Sequence, residues 1–131
     1  MKLKICIVIS TYNEDITSSM YKSAKNKLDL FGIKKIDTVK VPGAFEIPVA
    51  IAKVVKKYDG FIAIGCIIKG ETANFDLISK AITDGIMQIS ITHKKPIGNS
   101  VITLFDRRQA EMRLEKGAEA ATAVLEVLKI K

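Results

Sequence analysis

Apolar residues along this chain follow two rhythms. Ile5-Cys6-Ile7-Val8-Ile9 is an unbroken, mostly β-branched run, the mark of a strand covered on both faces. From 15 to 31 the spacing changes. Ile16, Met20, Ala24 and Leu28 recur on one side, which predicts an amphipathic helix ended by Gly32. Ile36 to Val41 alternates in polarity, as a half-exposed edge strand does. Pro42-Gly43 then turns the chain, and Pro48 suits the first turn of a helix that runs to about Lys57. Gly60 to Ile68 predicts a third strand. A helix from about Ala73 to Thr92 buries Ile78, Ile82, Ile86 and Ile89. Pro96 to Leu104 is the fourth strand. Asp106 to Lys129 reads as two helical pieces joined near Lys116-Gly117.

Strict alternation of strand and helix implies a parallel sheet with helices on both faces, a three-layer α/β/α architecture. The edge-like second strand gives the order 2-1-3-4, and the topology then switches between strands 1 and 3. Ligands of open α/β sheets bind outside the carboxyl ends of the strands at that switch. The loops to inspect are therefore Ser10 to Asp15 and Cys66 to Asn74, bordered by Pro42 to Glu46 and Thr103 to Asp106.

Each loop carries recognisable chemistry. Tyr12 offers a ring that can stack on a flat substrate, and Asn13 is a candidate cap for the first helix. Pro42-Gly43-Ala44-Phe45-Glu46-Ile47-Pro48 is a rigid turn that aims an apolar ring and a carboxylate at the crevice. In Lys69-Gly70-Glu71-Thr72-Ala73-Asn74, Gly70 permits close backbone approach and Thr72 can start the next helix. A loop feeding a helix N-terminus offers free N–H groups and a positive dipole end, an anion site. Arg113 carries a guanidinium suited to bidentate phosphate binding. His93 reads as a polar residue at a helix C-terminus, away from the crevice.

The chain has 131 residues, 48% apolar and 27% charged, which fits one domain spanning residues 1–131. No apolar run is long enough for a membrane span. The start reads as a first strand and not a leader, so a cytoplasmic protein is expected. Cys6 and Cys66 lie in apolar stretches without zinc spacing and read as buried hydrophobes. The net charge of +7 attracts anions. It is spread along the chain and not interleaved with aromatics, a poor signal for nucleic acid; a phosphorylated small substrate fits the charge equally well, and no nucleic-acid partner is expected.

Taken in order, these motifs resemble the lumazine synthase family over essentially the whole chain. Val41 to Pro48, Gly70-Glu71-Thr72 followed by Phe75-Asp76, and Lys116-Gly117-Ala118-Glu119-Ala120-Ala121 carry the likeness. The resemblance implies a flavodoxin-like fold and a site shared by neighbouring subunits of a pentamer. It implies that Tyr12 and Asn13 meet the pyrimidine ring, and that Ala44, Phe45 and Glu46 border the ribityl chain. It implies that Ile67, Ile68 and Lys69 meet the pyrimidine through their backbone. Glu71 and Thr72 match the phosphate loop, Arg113 the phosphate-binding arginine, and Lys116 and Glu119 a pair in the last helix.

The reaction implied condenses 5-amino-6-(ribitylamino)uracil with 3,4-dihydroxy-2-butanone 4-phosphate to give 6,7-dimethyl-8-ribityllumazine, with no metal or cofactor. Three departures stand out, one being that the family often has an N-terminal segment that pairs with a neighbour's sheet, whereas strand 1 is expected here almost at Met1. Asn74 occupies the place of a histidine usual in the family, and asparagine can orient a group but cannot shuttle a proton near neutral pH. A slow synthase is the expectation, with a non-catalytic lumazine- or flavin-binding shell as the alternative. The stretch between Arg113 and Lys116 is also several residues shorter than usual. An unrelated signalling or nucleotide-binding domain is disfavoured: the first loop lacks both a glycine-rich phosphate pattern and the acidic pair of a phospho-accepting receiver.

Overall fold

The computed structural model describes residues 2–131. The chain alternates β1 (Lys4–Ser10), α1 (Glu14–Leu30), β2 (Lys35–Val41), α2 (Ile47–Val54), β3 (Gly60–Ile68), α3 (Phe75–His93), β4 (Ile97–Leu104) and α4 (Lys116–Leu128). Short 3-10 turns lie at Ala44–Glu46, Val55–Lys57, Lys69–Glu71 and Arg107–Arg113. The sheet has the order β2-β1-β3-β4, and every neighbouring pair is parallel. This is the three-layer, flavodoxin-like arrangement expected from the alternation.

Burial follows the pattern that predicted the strands. Every residue of β3 is buried, as a central strand roofed on both faces must be. β2 at the edge exposes Lys35, Asp37, Thr38 and Lys40. One core layer joins Ile5, Ile7, Ile62 and Ile64 to Met20 and Leu28 of α1 and Val124 of α4. The other joins Cys6, Val8, Phe61 and Ala63 to Ile47 and Ile51 of α2 and Ile82 and Ile86 of α3. Ile78 and Ile89 pack on its rim, half-buried.

Two glycines set how closely α4 approaches its neighbours. A Cβ on Gly117 would lie 2.0 Å from the Met20 carbonyl of α1, and one on Gly98 would lie 2.5 Å from the Ala120 carbonyl. At Gly32 the chain leaves α1 with φ at 79°. Its N–H bonds to the Asp29 carbonyl and that of Ile33 to the Leu28 carbonyl, the Schellman closure that favours glycine.

The larger differences from the sequence expectation lie at the end of α2, at the start of α3 and in the last segment. α2 ends at Val54 and tightens into a 3-10 turn instead of continuing to Lys57. The carbonyl of Val55 there is taken by the Lys95 ammonium at 2.8 Å. α3 begins at Phe75 and not Ala73, because Lys69–Glu71 form a turn of their own and Thr72 is extended. Thr72 therefore does not start the helix. The first piece of the last segment is 3-10, and the break lies at Leu114–Glu115.

Candidate active site

All four strands point their carboxyl ends to one edge of the sheet, where a crevice of about 300 Å³ opens. Its floor is Cys66, Ile67 and Ile68, its walls are Ala44 and Phe45 on one side and Glu71 and Thr72 on the other, and Tyr12 stands at its mouth. Tyr12 and Phe45 are each 60% exposed, so two aromatic faces are presented to a ligand and are not used by the core.

Backbone pairing sets this geometry. Beyond β1 the chain continues beside β2: Thr11 N–H donates to the Val41 carbonyl at 2.8 Å and Tyr12 N–H to the Pro42 carbonyl at 3.0 Å. The Pro42–Pro48 segment closes on itself through Glu46, whose Oε1 accepts from Gly43 N–H at 2.9 Å. One carboxylate oxygen thus braces the turn that projects Phe45. No other hydrogen bond or ion pair of this carboxylate occurs among the described residues.

Asn13 departs from its expected role. It occupies the N-cap position of α1 in the left-handed region, φ 61°, yet its side chain caps nothing. Its Nδ2 donates to the Cys66 carbonyl at 3.2 Å, and its Oδ1 accepts from Arg107 Nη1 at 2.6 Å. The amide is spent on joining three segments, and α1 begins with its backbone alone: the Asn13 carbonyl accepts from Ile16 and Thr17.

Arg107 escaped the sequence reading. Besides Asn13, it donates through Nη2 to Asp15 and lies 3.6 Å from the Glu71 carboxylate. These partners are far off in sequence. The one available signal was its position next to the fourth strand end, which borders the crevice. The guanidinium holds the Asp15 carboxyl below the usual carboxylate range, mainly by its hydrogen bond.

The remaining expected residues lie outside the crevice lining. Lys69 sits with its ammonium 5.5 Å from the Phe105 ring centroid, a cation–π contact. Asn74 is the exposed N-cap of α3, with no side-chain capping bond. Arg113 ends its 3-10 turn half-buried. Lys116 and Glu119 are exposed on α4 and face each other at 3.5 Å. Gly70 is uncrowded, a Cβ there meeting nothing within 4 Å.

Cys66 is buried as expected yet also lines the crevice, and burial pushes its thiol up to about 11. Among the described residues no cluster of histidine, cysteine or carboxylate side chains suits a metal. A larger groove of about 460 Å³ lies at the opposite end, between the C-termini of α3 and α4, lined chiefly by Ile91, Pro96, Val124, Val127 and Ile130. It has no converging acid and base.

What the crevice offers is two aromatic faces, a floor of strand-end backbone, and a loop leading to a helix N-terminus whose first N–H groups lack helical partners. That suits a flat heterocycle on one side and an anion on the other. Comparison with known proteins bears on the same point. The sequence model of the 6,7-dimethyl-8-ribityllumazine synthase family matches residues 2–131. The protein of that name from Albidiferax ferrireducens is 39% identical, covering 96% of this chain and 83% of its own. Its namesake from a Polaromonas species is 37% identical, covering 96% and 85%. That from Leuconostoc mesenteroides is 38% identical, covering 97% and 87%. With a match of this extent, the chain belongs to the 6,7-dimethyl-8-ribityllumazine synthase family.

Proposed function

We propose that this protein condenses 5-amino-6-(ribitylamino)uracil with 3,4-dihydroxy-2-butanone 4-phosphate to give 6,7-dimethyl-8-ribityllumazine. The observation that carries the reading is the crevice itself, with Tyr12 and Phe45 exposed at a cavity that runs to Glu71 and Thr72. Family membership supplies the reaction. The pyrimidine amine attacks the ketone and water leaves, giving an imine. Phosphate is then eliminated, the resulting enol becomes a second carbonyl, and the ribityl-bearing nitrogen closes the ring with loss of a second water.

The protein's contribution is chiefly to hold two substrates together, which can be worth roughly 7–11 kcal/mol. A positioned acid–base group adds about 10²–10⁴-fold. Asn74 cannot supply that proton transfer, so the chemistry proceeds slowly, with water or the substrate phosphate relaying protons. Phe45 and Glu46 hold the ribityl chain, with Ala44 behind them. Asn13 and the backbone of Ile67 to Lys69 border the pyrimidine, and Gly70 to Ala73 hold the phosphate with Arg113.

The crevice is open on one side, and Arg113, Lys116 and Glu119 lie outside its lining. The reading is therefore a homo-oligomer, a pentamer at least, in which a second copy completes each site. The whole chain, residues 1–131, acts as one domain. Two buried thiols suit a reducing cytoplasm. The test is phosphate release from the ketose phosphate: it is expected only with the pyrimidine present, and release independent of the pyrimidine overturns the reading. Sedimentation checks the assembly; a monomer with full turnover contradicts it.

A further inference from the structure

We infer that Arg107 is a positioning residue of the crevice, which neutralises the carboxylates at the anion-facing rim and fixes the Asn13 amide; this rests on the synthase reading above. The guanidinium touches two loops that border the crevice. It donates to Asn13 Oδ1 at 2.6 Å and to Asp15 at the start of α1. It stands 3.6 Å from Glu71, whose residue lines the crevice beside Thr72. A phosphate bound at Gly70 to Ala73 would sit next to that carboxylate. Glu71 and Asp15 carry two negative charges there, and Lys69 is drawn toward the Phe105 ring. Arg107 is the cation that meets both carboxylates, so it lowers the repulsion a phosphate would face on entering. Because its fork engages two acids and one amide, it acts through them. It also fixes which end of the Asn13 amide faces the Cys66 carbonyl.

The test compares wild type, Arg107→Met, Arg107→Lys and Arg107→Met combined with Glu71→Gln. Michaelis constants for both substrates and binding of inorganic phosphate by calorimetry are measured at low and high salt. Arg107→Met is expected to weaken phosphate binding, and to raise the Michaelis constant for the ketose phosphate, about fivefold at low salt, the scale of partly exposed ion pairs. Relative to wild type the loss shrinks at high salt, because screening relieves the exposed carboxylates. The pyrimidine constant changes less. Arg107→Lys recovers most of the loss by charge alone, and Glu71→Gln in the Met background recovers part by removing the repelling group. A loss that Glu71→Gln leaves untouched, whatever its salt dependence, means that Arg107 contacts the phosphate itself or only holds the fold, and overturns the inference, as does no loss at all. A wild type that binds phosphate but makes no product fails the synthase reading separately, and the calorimetric arm still decides Arg107.

Discussion

The side-chain amide of Asn13 donates to the backbone carbonyl of Cys66 at 3.2 Å, tying the loop after β1 to the end of β3 across the switch point of the sheet. Asn13 holds a left-handed backbone, φ 61°, which costs most L-residues about 1–2 kcal/mol and which asparagine tolerates. Asn13→Ala should therefore destabilise by about 2 kcal/mol, combining that strain with the stranded Cys66 carbonyl. Asn13→Gly removes the strain and should lose about 1 kcal/mol less. Equal denaturation midpoints for the two variants would refute this.

Gly117 determines whether α4 can dock on α1. A Cβ there meets the Met20 carbonyl at 2.0 Å and the Ser23 hydroxyl at 2.5 Å. Backbone cannot yield as a flexible side chain does, so Gly117→Ala is expected to cost about 3 kcal/mol or more. Gly70→Ala, with nothing within 4 Å, should leave thermal stability nearly unchanged. A small melting-temperature shift for Gly117→Ala would show that the helices can separate at little cost.

Burial pushes the Cys6 thiol up to about 12 and that of Cys66 to about 11. Both stay protonated at pH 8, and the thiolate is the reactive form. A chromogenic disulfide reagent should find no reactive thiol in the native protein at that pH and both thiols in denaturant. Fast native labelling of Cys66 would mean that the crevice floor is open to solvent.

Glu46 has one oxygen on Gly43 N–H, so its two oxygens separate two roles. Glu46→Gln keeps an acceptor for the turn and loses the charge; Glu46→Ala loses both. A charged hydrogen bond to a sugar hydroxyl is worth about 1.5–3 kcal/mol. Glu46→Ala should raise the Michaelis constant for the ribityl pyrimidine roughly tenfold to hundredfold, and Glu46→Gln should raise it less. An unchanged constant in Glu46→Ala removes Glu46 from the ribityl site.

Much of this was legible in the sequence, for reasons visible in particular residues. The polar alternation of Ile36 to Val41 marks an edge strand and the strict alternation of strand and helix marks a parallel sheet, which together point to the order observed. Tyr12, Phe45, Ile67, Ile68, Glu71 and Thr72 converge because parallel strands end at one edge. What stayed hidden depends on pairs distant in sequence. Asn13 looked like a cap by local chemistry, but Arg107 and Cys66 compete for its amide and win. Local sequence hardly marks Arg107 itself, whereas Arg113 stands out by its guanidinium and its match to the family's phosphate-binding arginine, although it lies outside the crevice lining. The turn at Lys69–Glu71 delayed α3 because Thr72 stays extended, a choice that helix propensity alone does not reveal.

Asn74 bears on the rate. Its side chain caps nothing at the N-terminus of α3, so exchange for histidine disturbs no capping bond. A histidine near its ordinary range can move protons at neutral pH. Asn74→His should raise the turnover number, up to the ~10²-fold low end of general acid–base catalysis, and barely move either Michaelis constant. A turnover number that falls would assign the asparagine a binding role instead.

Lumazine formation by the wild-type protein is the most direct measurement. Purified protein is mixed with 5-amino-6-(ribitylamino)uracil and 3,4-dihydroxy-2-butanone 4-phosphate, and absorbance and fluorescence follow product formation above the uncatalysed rate. The expected result is slow, saturable formation of 6,7-dimethyl-8-ribityllumazine over many turnovers, dependent on both substrates. Folded protein that binds the pyrimidine or its lumazine but adds nothing to the uncatalysed rate, as wild type and as Asn74→His, would contradict it and leave a binding shell.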